Sequence, residues 1–309
     1  MERLKPIEYG TIPDILFIGN GINISYGGSS WDRVLAGLST GEFDYDHYAI
    51  KQLPYSLQTI VISSDSVSEG MGDIAKELMP RKLCDEHSEL LRGYLALPFD
   101  VILTTNYSYE IEVAENPEFN LSIGKASRYR ITTKQGNSRQ DQFGIYKFIK
   151  ADKNNIWHIH GEAARTGSMV MGHYYYGRLL AEIQERVPEV IRSYKVSLKN
   201  KTAYQPKSWI DYFLISNIHI VGFGLDASEM DVWWLINCKK RNFRNCGKIY
   251  FYEPNLDNPN KYALKALTEI FNIECYSPKV SKSGYKKFYH DALEAIGERI
   301  NSRIYESGL

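Results

Sequence analysis

Short apolar runs recur along the chain, each followed by a polar or glycine-containing turn and then by a helical pattern. The runs are DILFIGNG (14–21), DVILTTNY (100–107), NIWHIHG (155–161), IHIVGFG (218–224), KIYFYEPN (248–255) and NIECYSP (272–278). Strands that read as near-continuous apolar runs are those buried on both faces of a sheet. The pattern therefore predicts an α/β fold, a parallel sheet flanked by helices.

Between the runs the apolar spacing changes to that of helices. In GHYYYGRLLAEIQERVPEVIRSY, the residues Leu179, Leu180, Ile183, Val187, Val190, Ile191 and Tyr194 recur three and four apart. That spacing predicts a packing helix, with a break or kink at Pro188. The segment YKKFYHDALEAIGERINSRI puts Phe288, Leu293, Ile296, Ile300 and Ile304 near one helical face. Residues 22–99 read as several helices, including SDSVSEGMGDIAKELM and CDEHSELLRGYLAL, with a weaker strand near QTIVIS. YRITT and GIYKF on either side of QGNSRQ read as a small hairpin inserted before WHIHG. No repeat and no clean linker divides the chain. A single domain over 1–309, with inserted elements at about 22–99, 115–150 and 173–210, is the simplest account.

Composition narrows the function classes. With 309 residues, 43% of them hydrophobic, the chain can bury a substantial core. Lys plus Arg and Asp plus Glu both number 37, so no net field draws the molecule to nucleic acid or to an anionic membrane. The basic stretches NKYALK and KKRNFR read as solvated helix faces, and no direct nucleic-acid binding is expected. Cys84, Cys238, Cys246 and Cys275 form no C-x-x-C pair, which argues against a zinc ribbon or a disulfide framework and for reduced thiols in the cytoplasm. MERLKPIEYG lacks an apolar signal core, and no run approaches the ~18 apolar residues of a membrane span.

In open parallel sheets ligands bind at the carboxyl ends of the strands, so the residues leaving each strand matter most. Gly19 and Gly21 let backbone N–H groups approach an anion, but Ile24 breaks the G-x-G-x-x-G pattern and no P-loop lysine follows. A structural turn explains two glycines almost as well. Asn106 carries an amide that both donates and accepts, although an asparagine after a strand is commonly a turn residue. The pair His158 and His160 would share a face if WHIHG is extended, and three readings compete there: a metal pair, an acid/base pair, or core packing. The metal reading needs further ligands, whereas the other strand ends offer mainly Asn, Thr and Gly. His160, next to Gly161, can titrate near neutral pH, and His158 one step deeper reads as a hydrogen-bonded core histidine.

Taken in order, G-N-G-x-N, T-T-N-Y, H-G and G-x-G-L resemble the sirtuin family, and its bacterial sirtuin-like branch more closely than its protein deacylases. The resemblance spans residues 19–225 and implies a Rossmann-like sheet that binds NAD. By position it assigns Gly19, Asn20, Gly21 and Asn23 to the phosphate and ribose side. Gly222, Gly224 and Leu225 match the family's later Gly-Thr-Ser-Leu turn, with Phe223 and Gly224 in place of Thr and Ser. Glu253 or Asn255 is assigned to a ribose hydroxyl. Asn106 corresponds to the catalytic asparagine and His160 to the catalytic histidine. Residues 162–221 contain no cysteine, so the deacylases' four-cysteine zinc module is missing, and their arginine-bearing loop is unrecognisable in INISYGGSSWD. Water is then the expected acceptor, and the implied activity is a metal-independent NAD glycohydrolase that yields nicotinamide and ADP-ribose. The bacterial branch commonly has Asp after T-T-N-Y, where this chain has Ser108, leaving Glu110 or Asp231 to support Asn106.

The resemblance further implies an NAD-depleting effector of bacterial antiphage defence. Such an activity needs a trigger, so self-assembly into a homo-oligomer, a separate sensor protein, or both are expected. Three rivals remain open: a non-catalytic subunit that binds NAD or ADP-ribose, a metal-dependent hydrolase using His158 and His160, and a protein deacylase or ADP-ribosyltransferase.

Overall fold

The computed structural model describes residues 4–39, 44, 46–63, 78, 82–119, 128–130, 142–151 and 153–307. Its strands are β1 Asp14–Ile18, β2 Val101–Thr104, β3 Arg128–Arg130, β4 Lys147–Ala151, β5 Asn154–His158, β6 Asn217–Val221, β7 Ile249–Tyr252 and β8 Glu274–Tyr276. They form one sheet in the order β3-β4-β5-β2-β1-β6-β7-β8. The six strands from β5 to β8 pair in parallel, and β3 and β4 add an antiparallel edge. The fold is α/β and Rossmann-like.

Alternation along the strands divides the core between the two faces of the sheet. Ile15, Phe17, Val101, Leu103, Trp157, Ile218 and Ile220 face one side, where they pack on the helices Gly172–Asn200, Trp209–Ile215 and Met230–Asn242. Leu16, Ile18, Ile102, Ile156 and Val221 face the other, against the helices Asp85–Ala96 and Tyr285–Ser307. Each large side chain buried this way contributes about 1.5–3 kcal/mol. A third cluster joins the helices Trp31–Leu38 and Tyr55–Ser63 to Tyr107, Tyr109, Met169 and Met171, beyond the carboxyl ends of β2 and β5.

The expected helical faces are present. Leu179, Ile183, Val187 and Val190 are buried on the long helix, as are Phe288, Ile296 and Ile300 on the last one. Pro188, however, does not break its helix, which runs unbroken from Gly172 to Asn200. Proline removes the hydrogen bond to the carbonyl four residues earlier; Pro188 and Gln184 both lie on the exposed face, where water can take that carbonyl. QTIVIS is not a strand. It belongs to the helix Tyr55–Ser63, whose buried Ser56, Thr59 and Ile62 recur three apart and which packs on the long helix. Here tertiary packing overrides the β preference of Thr, Ile and Val. The expected hairpin is seen in part: Tyr129 pairs with Phe148 in antiparallel register, while its QGNSRQ tip lies outside the described residues. The segment SDSVSEGMGDIAKELM, apart from Leu78, also lies outside them.

Candidate active site

β1 sits between β2 and β6, so the chain leaves β1 toward one side of the sheet and later returns to its other side. This reversal opens a crevice at the carboxyl ends of β1 and β6. The two turns there are tied together, the Gly19 N–H donating to the Val221 carbonyl at 2.9 Å and the Gly21 N–H to the Gly222 carbonyl at 2.7 Å. A Cβ on Gly19 would come within 2.5 Å of the Gly222 oxygen, and Gly222 itself has φ of +68°. These glycines are required because two backbones touch, and the N–H groups of Gly19 and Gly21 are engaged within the protein rather than offered to an anion. Gly224 differs, since a Cβ there would meet nothing within 4 Å.

The other residues expected to bind a cofactor divide into two groups. Asn20, Gly21, Gly222, Gly224 and Glu253 line a cavity of about 700 Å³. That is within the range of roughly 300–1,000 Å³ common for small-molecule sites. Asn20 is held by its side-chain N–H to the Ser29 carbonyl at 2.7 Å, and Glu253 is ion-paired with Lys261. Asn23, Leu225 and Asn255 do not reach this cavity. Asn23 turns to Asn20 and to His87 and lines a smaller neighbouring cavity. Leu225 is buried in the core with φ of +47°, close to Phe223, which stacks on Phe17 at 4.9 Å. The Asn255 amide clamps Val280 with two bonds of 2.8 Å. Short side chains after strands bond nearby backbone readily, which is why these positions look like ligand contacts in sequence.

Asn106 follows β2 and lies in the cavity wall, with its N–H donating to Thr104 Oγ1 at 3.0 Å. Its side-chain oxygen is buried and has no hydrogen-bond partner among the described residues. Neither Glu110 nor Asp231 supports it as expected: the Ser108 hydroxyl donates to Glu110, and Asp231 bonds His160. His158 does the supporting instead. Its Nδ1 lies 2.6 Å from the Asn106 carbonyl and its Nε2 2.8 Å from Glu112 Oε1. Burial works against a charged His158, but the charge and hydrogen bond of Glu112 outweigh it and push the pKa up to about 9.

β5 ends at His158, so WHIHG is not extended throughout and the two histidines do not share a face. Gly161 makes the turn with φ of +88°, and a Cβ there would collide with the Ser168 carbonyl. The turn sends His160 to the large cavity, whereas His158 lines a separate small one. His160 Nε2 lies 2.9 Å from Asp231 Oδ2, and its Nδ1 lies 3.7 Å from Glu229 Oε2. Burial disfavours the charged ring, but Asp231 first and Glu229 second outweigh it and raise the His160 pKa. Burial also lifts the Glu229 carboxyl to about 7, against the pull of His160. The Tyr176 hydroxyl donates to Glu229 at 3.0 Å.

Ligand atoms of His160, Glu229 and Asp231 all lie within 4.8 Å of one another, the one such trio of His, Cys, Asp or Glu among the described residues. Each His160 nitrogen already faces a carboxylate, so the three form an ion-paired group. Glu229 and Glu112 are the partners that sequence reasoning missed. Both sit at the start of helices, where acidic residues are ordinary and carry no signal of their own.

The cavity thus has a polar end, formed by Asn106, His160 and Glu229, and runs past the two glycine turns to Lys282, just before the last helix, and to Lys286 and Tyr289 at its start. Trp31, Tyr55 and Phe223 supply flat apolar walls. No helix among the described residues is long and apolar enough to cross a membrane. Set against known protein families and against curated proteins, the sequence matches none.

Proposed function

We propose that this chain is a sirtuin-like NAD glycohydrolase, cleaving the nicotinamide–ribose bond with water to give nicotinamide and ADP-ribose. The observation that carries the reading is one cavity at the switch point of a Rossmann-like sheet, lined by the glycine turns after β1 and β6 and by both Asn106 and His160. An adenosine and its phosphates would lie toward the turns and Lys282, and the nicotinamide ribose toward Asn106 and His160. Nicotinamide leaves as a neutral molecule, so the bond needs little acid help; the site has to hold an oxocarbenium-like sugar and present water in line. The Asn106 oxygen, unpartnered among the described residues, suits that task, because it can orient water or the nicotinamide amide.

By the same motif resemblance we read the chain as an NAD-depleting effector of antiphage defence, switched on by self-assembly or by a separate sensor protein. The test is nicotinamide release from NAD by the purified chain over a series of protein concentrations, with His160→Ala alongside. Turnover lost in the variant supports the reading, and a steep dependence on concentration points to assembly as the switch. Calorimetric NAD binding without any nicotinamide release would replace it with a binding-only role.

A further inference from the structure

Replacing nicotinamide by water releases a proton, and the group that takes it has to face the cavity. His160 is poorly disposed for this. Its side chain is 3% exposed, with Asp231 Oδ2 2.9 Å from one ring nitrogen and Glu229 Oε2 3.7 Å from the other. A carboxylate opposite each nitrogen favours the imidazolium, which has no lone pair left to accept a proton. Of the two carboxylates, Glu229 is the one that lines the cavity, its side chain 15% exposed against 0% for Asp231. Among the described residues, Tyr176 and His160 both meet it at Oε2, which leaves Oε1 for water.

We propose that Glu229 accepts the proton of the attacking water and that His160 is a positioning cation acting on Glu229. This rests on the NAD-hydrolysis reading above. In the step, the water oxygen bonds to the ribose C1′ as the C1′–nitrogen bond breaks. The bonding pair leaves with nicotinamide, which departs neutral, and one water proton passes to the Glu229 carboxylate and later to solvent. NAD and water thus give nicotinamide, ADP-ribose and one proton.

The groups facing Glu229 come from several elements. They are His160 after β5, Tyr107 after β2, Tyr176 on the long helix, and Asp226 and Asp231 beside Glu229 itself. Burial and the two aspartates favour the protonated carboxyl, whereas the His160 cation and the Tyr176 hydroxyl favour the carboxylate. Removing the cation therefore displaces the ionisation of Glu229 to higher pH.

The experiment measures nicotinamide release by the full chain against pH for the wild type, Glu229→Gln and His160→Gln, and for Glu229→Ala with and without azide. Glu229→Gln should lose about 10²–10⁴-fold, the usual worth of a positioned acid or base. Azide attacks without losing a proton, so it should restore nicotinamide release to Glu229→Ala and yield azido-ADP-ribose. His160→Gln should keep a residual activity whose acid limb moves to higher pH. A wild-type rate and profile in Glu229→Gln would overturn the proposal while leaving NAD hydrolysis standing, as would absent azide rescue in a variant that still binds NAD by calorimetry. A wild type that releases no nicotinamide at any protein concentration removes the hydrolysis reading, and the role of Glu229 with it.

Discussion

His158 Nδ1 lies 2.6 Å from the carbonyl oxygen of Asn106, so the asparagine that follows β2 is held in place by the last residue of β5. The other ring nitrogen is bonded to Glu112, on the helix Glu110–Glu115. A buried ion pair thus braces the backbone of the candidate reaction centre without facing the cavity. Breaking it from one side leaves the other charge unpaired. His158→Ala should cost on the order of 3–5 kcal/mol of stability, measured by urea unfolding.

The same pair gives stability a pH dependence. Burial opposes the charge on His158, but Glu112 prevails and the folded pKa rises from 6.5 to about 9. A group with a raised folded pKa stabilises fully below its unfolded value and loses that contribution as pH rises through the folded one. Unfolding midpoints should therefore fall between pH 6.5 and pH 9 in the wild type. His158→Ala should flatten that decline; an unchanged slope in the variant would place the cause elsewhere.

Asn106→Ala should behave in the opposite manner. Its side-chain oxygen is buried without a partner among the described residues, so removing it relieves an unsatisfied polar group. Stability should hold within about 1 kcal/mol or rise, while nicotinamide release is lost. Thermal melts run beside the activity assay would show whether the two properties separate.

The glycines should also separate. Gly224 has open space where a Cβ would go, and it lines the cavity. Gly224→Val should leave the melting temperature near that of the wild type and weaken NAD binding in calorimetry. Gly19→Ala puts a methyl within 2.5 Å of the Gly222 oxygen and should destabilise the fold before any ligand is added.

Chelation distinguishes the ion-paired reading of the polar end from a metal-dependent hydrolase. Nicotinamide release should be unchanged after treatment with a strong chelator and dialysis. Activity lost on chelation and restored by one divalent metal would reassign His160, Glu229 and Asp231 as its ligands.

The parallel strands were legible in the chain because buried strands are apolar on both faces, and Ile15 to Ile18 or Ile218 to Val221 can be little else. Helix and strand were confused at QTIVIS because β-branched residues suit either state until a neighbour is known, and the neighbour is a helix more than a hundred residues away. Asn106 and His160 stood out as polar side chains at strand ends. The acids around them did not: Glu112, which bonds His158, and Glu229, which faces His160, acquire meaning only when β2 is paired with β5 and when the helix after β6 is brought to the turn after β5. The glycines were visible, but their reason was not. Gly19 and Gly222 lie two hundred residues apart and touch only because β1 pairs with β6.

The cavity wall also has an order in time. Asn20 contributes to it early in the chain, Asn106, His160 and Glu229 in succession, and Lys286 and Tyr289 last. A ribosome making this protein therefore carries the turn after β1 long before Tyr289, the residue it packs beside, has emerged. An unfinished chain therefore lacks one wall of its pocket, and the cavity closes only when the last helix is in place.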